Sequence, residues 1–384
     1  MENPPPANPH FPTASAPASF QHAAWLLLVA AVGVPSSLLW DFSWESTVGI
    51  DLAWAPPHLA TYLSVLLGGA VAMALIFSNS ARGFGVLVGK FRAPIGAWVI
   101  VWGAVAFGAA MLFDRWWQSS YGLAAGIWHP PQILKASAFF AILAGAWIFV
   151  ASAQNRSRGA GAFAFSAAAG VLLAMMSVAT ITLAYPNRQH SAAFYQLTCA
   201  LYPLVIAAVA SAGRLRFPAT AAALVHLAMM CLAIWVLQLV PAKPLVAPIY
   251  NALDHLMPPP FPLLLAAPAL ALDALLRWFP GREQRFQDWR RAGECGLAFF
   301  AIFIVVQWQF AQFLLTPAAD NWFFAGGGMH WPFFLKIDPR SRVAFWKMGN
   351  DEFTLARGFA AAGFALLSTR AGLWLGSWMK RVQR

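Results

Sequence analysis

The chain has 384 residues, of which 60% are hydrophobic and only 10% charged, and its mean hydropathy is +0.61. A soluble domain carries roughly 25% charged residues, so a water-soluble globular fold is excluded. The formal net charge of +11 would suggest nucleic acid in a soluble protein. Here Lys and Arg fall in short segments between apolar runs and no nucleic-acid motif is present, so no nucleic-acid partner is expected.

Residues 1–20 are rich in Pro, Ala and Ser and contain no Lys or Arg. A cleavable signal peptide needs a basic region before its apolar core, so this stretch reads as a disordered cytoplasmic tail ahead of a transmembrane domain over 21–384. A helix needs about 20 apolar residues to cross the hydrocarbon core. Such stretches lie near 22–40, 57–78, 94–113, 132–153, 162–184, 194–212, 218–240, 259–277, 295–316 and 354–375. They predict an all-α, polytopic transmembrane helical bundle of about ten spans in a lipid bilayer. The last is the weakest, because Arg357 and Arg370 bracket it.

Loop charge orients the spans. The connections after the second, fourth, sixth and eighth carry Arg82, Lys90 and Arg92; Arg156 and Arg158; Arg214 and Arg216; and Arg282, Arg285, Arg290 and Arg291. Lys380, Arg381 and Arg384 follow the last. The opposite connections hold few, except the long final one over 317–353, and long loops weigh less in this rule. The asymmetry predicts both termini in the cytoplasm.

Two outer connections share a pattern. The first runs Asp41, Trp44, Glu45, Ser46, Gly49, then Trp54, Pro56, Pro57 and His58. The second runs Asp114, Trp117, Gln118, Ser119, Gly122, then Trp128, His129, Pro130, Pro131 and Gln132. The offset equals two spans with their loops, so the repeat units, about 22–92 and 94–160, are helix pairs in parallel. In each unit the Asp is expected to end the outgoing helix, Gly to permit the turn, and Pro-Pro to start the returning helix. The fourth outer loop echoes the last element in Asp254, His255, Pro258, Pro259 and Pro260. The D-x-x-W…G…W-x-P-P-H segment, mainly over 38–66, resembles one in uncharacterised bacterial multi-pass membrane proteins. That resemblance implies a bacterial inner (cytoplasmic) membrane location and no established activity. Where His often follows the Trp in those proteins, this chain has Glu45 and Gln118.

Of eight histidines, five fall one per outer connection or junction: His58, His129, His190, His255 and His330. Carboxylates accompany them, chiefly Asp51 and Asp254, with Asp41, Glu45 and Asp114 as further polar candidates. Imidazole with carboxylate suits copper, zinc or iron, and copper ranks first on an oxidising outer face. The alternative is that these groups cap helices or titrate in the interface. No single loop carries HxxxH or HExxH spacing, and Cys199, Cys231 and Cys295 form no CxxC. His226, mid-span beside Met229 and Met230, reads either as a haem or pigment ligand or as a packed helix histidine. Asp273 is expected to pair with Arg277. The run Ala325 to Trp331 reads as a lid or substrate loop, without the GK[ST] of a phosphate cradle.

Three functions are open on this reading. One is a periplasmic-face metalloprotein, an oxidoreductase or hydroxylase for a small or lipidic substrate. Another is a transporter or copper-handling protein, against which the spans carry few charges. The third is a non-catalytic subunit of a larger membrane complex.

Overall fold

A computed structural model describes residues 18–50, 52–81, 85–122, 129–156, 161–278, 285–326, 332–333 and 351–382. Its helices are α1 (Ala18–Val48), α2 (Pro56–Ala81), α3 (Ile95–Tyr121), α4 (Pro130–Arg156), α5 (Ala162–Ala179), α6 (Ala192–Ala212), α7 (Pro218–Leu237), α8 (Ala266–Trp278), α9 (Arg285–Leu314) and α10 (Leu355–Met379). Nine of them, all but α8, are long and apolar enough to cross a membrane. The chain is therefore an all-α, multi-pass membrane protein. A small antiparallel hairpin, β1 (Val86–Val88) and β2 (Phe91–Ala93), joins α2 to α3.

The predicted spans hold, with two corrections. Asp41 and Asp114 do not end their helices: α1 continues to Val48 and α3 to Tyr121. Neither intervening stretch contains Pro or Gly, so nothing stops the helix until Gly49 and Gly122. These take φ of +79° and +82°, which favours glycine. Their amides donate to the Glu45 and Gln118 carbonyls at 3.1 and 3.0 Å. Pro56 and Pro130 begin α2 and α4 as expected.

The eighth span is the second correction. Only its last 13 residues are helical, Ala266–Trp278, and residues 256–263 are buried without helix. Pro258, Pro259, Pro260 and Pro262 explain this. A residue preceding Pro disfavours the α region, so only the end of such a run can open a helix. Non-helical backbone at membrane depth survives only when protein satisfies it. Proline removes four N–H donors outright. The Met257 N–H donates to Thr47 Oγ1 at 2.8 Å, and the Ser43 hydroxyl donates to the Met257 carbonyl. The Leu264 N–H donates to Gln307 Oε1 at 2.9 Å.

Small residues close the bundle. A Cβ on Gly372 of α10 would lie 2.3 Å from the Leu204 carbonyl of α6, and one on Gly376 2.4 Å from Ser211 Oγ. In lipid, such close approach drives helix association in place of the hydrophobic effect. Arg370 of α10 pairs with Asp288 of α9 at 3.5 Å. Arg357 pairs with Asp351 at 3.6 Å, so both arginines of the last span have acidic partners.

Backbone hydrogen bonds tie some of the histidine-bearing connections to neighbouring segments. The Leu245 N–H donates to the Val48 carbonyl at 3.0 Å, and the Ala192 N–H to the Asp351 carbonyl at 3.1 Å.

Candidate metal centre

Extending α1 past Asp41 places Glu45 one turn beyond it on the same face, since residues four apart are helix neighbours. Pro56 and Pro57 turn the chain back so that His58, in the first turn of α2, meets them. His58 Nε2 lies 3.1 Å from Asp41 Oδ1, and His58 Nδ1 lies 2.8 Å from the Leu52 carbonyl. One donor atom from each of Asp41, Glu45 and His58 lies within 4.8 Å of the others. Among the described residues this is the one such cluster of three or more His, Cys, Asp or Glu side chains. Two ligands about 2.1 Å from a shared tetrahedral ion would be about 3.4 Å apart, close to the His58–Asp41 separation.

The protonation logic is direct. A ring nitrogen facing a carbonyl must donate, which places hydrogen on Nδ1. In the neutral imidazole that leaves Nε2 as a lone pair aimed at a carboxylate. A proton shared across the contact or a metal ion placed between the two groups would each make it favourable.

The second repeat solves the same problem differently. His129 Nε2 lies 3.4 Å from Asp114 Oδ1, and the Lys135 ammonium lies 2.9 Å from Asp114 Oδ2. Gln118, at the position of Glu45, donates to Asp114 Oδ2 at 3.3 Å. The second copy thus has one carboxylate fewer and a lysine from α4 as built-in cation. The pairing histidine precedes Pro-Pro here and follows it in the first copy.

Among the described residues, the other candidates are not part of that cluster. Asp51 and His330 lie outside the described residues. His255 Nδ1 meets the neighbouring Asp254 at 2.7 Å, and that contact lowers the pKa of this exposed carboxylate. His190 is buried edge-on against Trp308, with ring centres 4.4 Å apart. Burial lowers its pKa, against a raising contact from the Trp308 backbone. His226 is fully buried, its Nε2 2.9 Å from Ser177 Oγ, which in turn lies 3.0 Å from the Tyr202 hydroxyl. Asp273 does not take up Arg277 as expected. It caps α7 instead, accepting from the Ala219 and Thr220 amides at 3.2 and 2.8 Å and from the Thr220 hydroxyl at 2.8 Å. Those orphan N–H groups at a helix start offer a carboxylate fixed donors.

Lys135, Ser43, Thr47 and Gln307 were not singled out in the sequence. A lysine one turn into a span was the available signal for the first, because a charge at that depth needs a partner. Comparison with family models, curated proteins and solved structures gives no match, so any functional reading rests on this geometry.

Proposed function

We propose that the protein is a membrane metalloprotein that binds one transition-metal ion through Asp41, Glu45 and His58. The observation that carries this is the convergence of one imidazole and two carboxylates within 4.8 Å. The comparison with the second copy supports it, because there a lysine supplies the positive charge. One nitrogen and two oxygens suit zinc, iron or copper(II). Copper stays first if the site faces an oxidising compartment, and the two carboxylates bring zinc and iron close behind. Three protein donors leave coordination positions for water or substrate, which is the arrangement of a catalytic rather than a structural site. On this reading the protein is an oxidoreductase or hydroxylase for a small or lipidic substrate. The loop charges support both termini being cytoplasmic and the site lying on the opposite face, which is periplasmic if the resemblance to bacterial multi-pass membrane proteins holds and the membrane is the bacterial inner one.

The test is metal analysis of protein purified in detergent without chelators, then reloaded with zinc, iron or copper. One equivalent should be retained by the native chain and lost in His58→Ala and Glu45→Gln. Equal retention by all three proteins would overturn the assignment.

A second reading is favoured by one observation, the non-helical stretch of span eight. Transporters commonly build their sites from interrupted helices near the midplane, so a metal-handling transporter would use the same triad as an outer capture site. Metal-dependent flux in proteoliposomes would favour this reading over the enzyme.

A further inference from the structure

Span eight contributes only 13 helical residues, about 20 Å of the roughly 30 Å hydrocarbon core. Where its helix is missing, a groove of about 570 Å³ lies between α7 and α9. Leu227, Cys231 and Trp235 of α7, Phe310 of α9, Phe261 of the proline-rich stretch and Phe324 line it, and every lining side chain is apolar in body. It faces outward: Leu224 and Leu232 on the same wall are 50% and 56% exposed, on a helix long and apolar enough to span the bilayer. The aromatic wall is ordered, with Phe261 5.4 Å from Phe310 and 5.5 Å from Phe324 between ring centres.

One end of the groove is polar. Trp235 Nε1 donates to the Phe323 carbonyl at 3.0 Å, and Gln238 Nε2 to the Trp322 carbonyl at 3.0 Å. The Trp235 and Trp322 rings stack 6.0 Å apart. Paired tryptophans with bonded polar groups belong at the headgroup level. The groove therefore runs from interface into hydrocarbon, polar at its rim and apolar along its length.

We infer that this groove is a binding site for one acyl chain of a phospholipid, held with its headgroup at the Trp235–Trp322 rim. Length decides against a partner helix: the stretch left open by the missing part of the eighth helix is about 10 Å, under two helical turns, too short to seat a membrane-crossing helix along its length. A polar solute has no donor or acceptor to meet along the walls. The site is independent of the metal triad, and each can fail without the other.

Phosphatidyl lipid carrying a diazirine in one acyl chain tests it, with the full chain reconstituted in bilayer nanodiscs and crosslinks mapped by mass spectrometry. Labelling of the α7 and α9 groove peptides should exceed that of the exposed α3 face around Trp102 and Leu112 several-fold. Ala228→Trp should fill the groove and abolish the excess while leaving α3 labelling unchanged. The side chain of Ala228 is exposed, and the milder Ala228→Leu should give a partial loss should the larger one misfold. Equal labelling of groove and α3 face, or an excess that survives both variants, would mean annular lipid only and overturn the proposal. Displacement of the label by a stoichiometric polyprenol would overturn the acyl assignment in favour of an isoprenoid chain.

Discussion

If the second copy differs from the first in carrying its own cation and in lacking one carboxylate, removing that cation and restoring the carboxylate should create a second metal site. The variant is Gln118→Glu with Lys135→Ala. The Lys135 and Asp114 side chains are 16% and 13% exposed and 2.9 Å apart. At an effective dielectric of 20 their attraction is about 6 kcal/mol before desolvation. Most of that offsets removing both charges from water, and what is lost on breaking a pair of this burial is about 2 kcal/mol, between exposed and fully buried cases. Lys135→Ala alone should therefore melt earlier than the native chain. In the double variant the donors become two carboxylates and His129, already 3.4 Å from Asp114. Zinc is the appropriate probe because it imposes little geometric preference of its own. At a hundred times its dissociation constant it should return about 2.7 kcal/mol. The assay is metal content per chain with thermal unfolding in detergent, each with and without zinc. A rise from one to two equivalents is expected, with zinc raising the midpoint of the double variant more than that of Lys135→Ala. A folded double variant that still holds one equivalent and does not respond would refute the idea that the two copies share one site design.

Other consequences are simpler. Gly372→Leu should prevent α6 and α10 from meeting, at a cost above about 3 kcal/mol, read as loss of monodisperse protein; Gly108→Ala, where a Cβ meets nothing within 4 Å, should be neutral. Asp273→Ala should cost about 1–2 kcal/mol through loss of the α7 cap, seen as a lower thermal midpoint. His190 has its pKa lowered from 6.5 by burial, so as pH falls the unfolded chain takes up the proton first. Its stabilising contribution is complete above about pH 6.5 and is lost below it; His190→Gln should flatten the midpoint between pH 8 and 5. Thr47→Val leaves the Met257 N–H without its acceptor, and amide exchange across 256–265 should speed up while α6 stays protected.

The helices were legible because crossing hydrocarbon imposes a length and a composition that little else produces. Nine of ten predicted spans became full helices. The exception, near 259–277, met the hydropathy criterion and failed on backbone chemistry. Proline is apolar, so a sliding count of apolar residues accepts it, while its missing N–H and the constraint on its predecessor exclude it from a helix interior. What makes the extended stretch viable lies in Thr47, Ser43 and Gln307, from helices distant in sequence, and no local pattern announces them. The ends of α1 and α3 were misplaced for a related reason. A polar residue at the membrane surface ends the apolar run without ending the helix, and the glycines eight residues further on are the true stops.

The site divides along the same line. Aligning the repeats by their Pro-Pro pairs matched His58 with Gln132, whereas the structure pairs His129 with Asp114. Two residues on either side of a helix start can reach the same carboxylate, because the chain doubles back there and the relevant distance is across the hairpin. A sequence offset of a few residues carries little information about that distance. Charge carries more. In the first copy Asp41 and Glu45 face one imidazole, and in the second Asp114 and Gln118 face an imidazole and an ammonium. The replacement of Glu by Gln and the presence of Lys135 move the local charge in the same direction by one unit each. A duplicated hairpin that changed both together would keep the strut and give up the ligand set, so the proposed metal site belongs to the first copy alone.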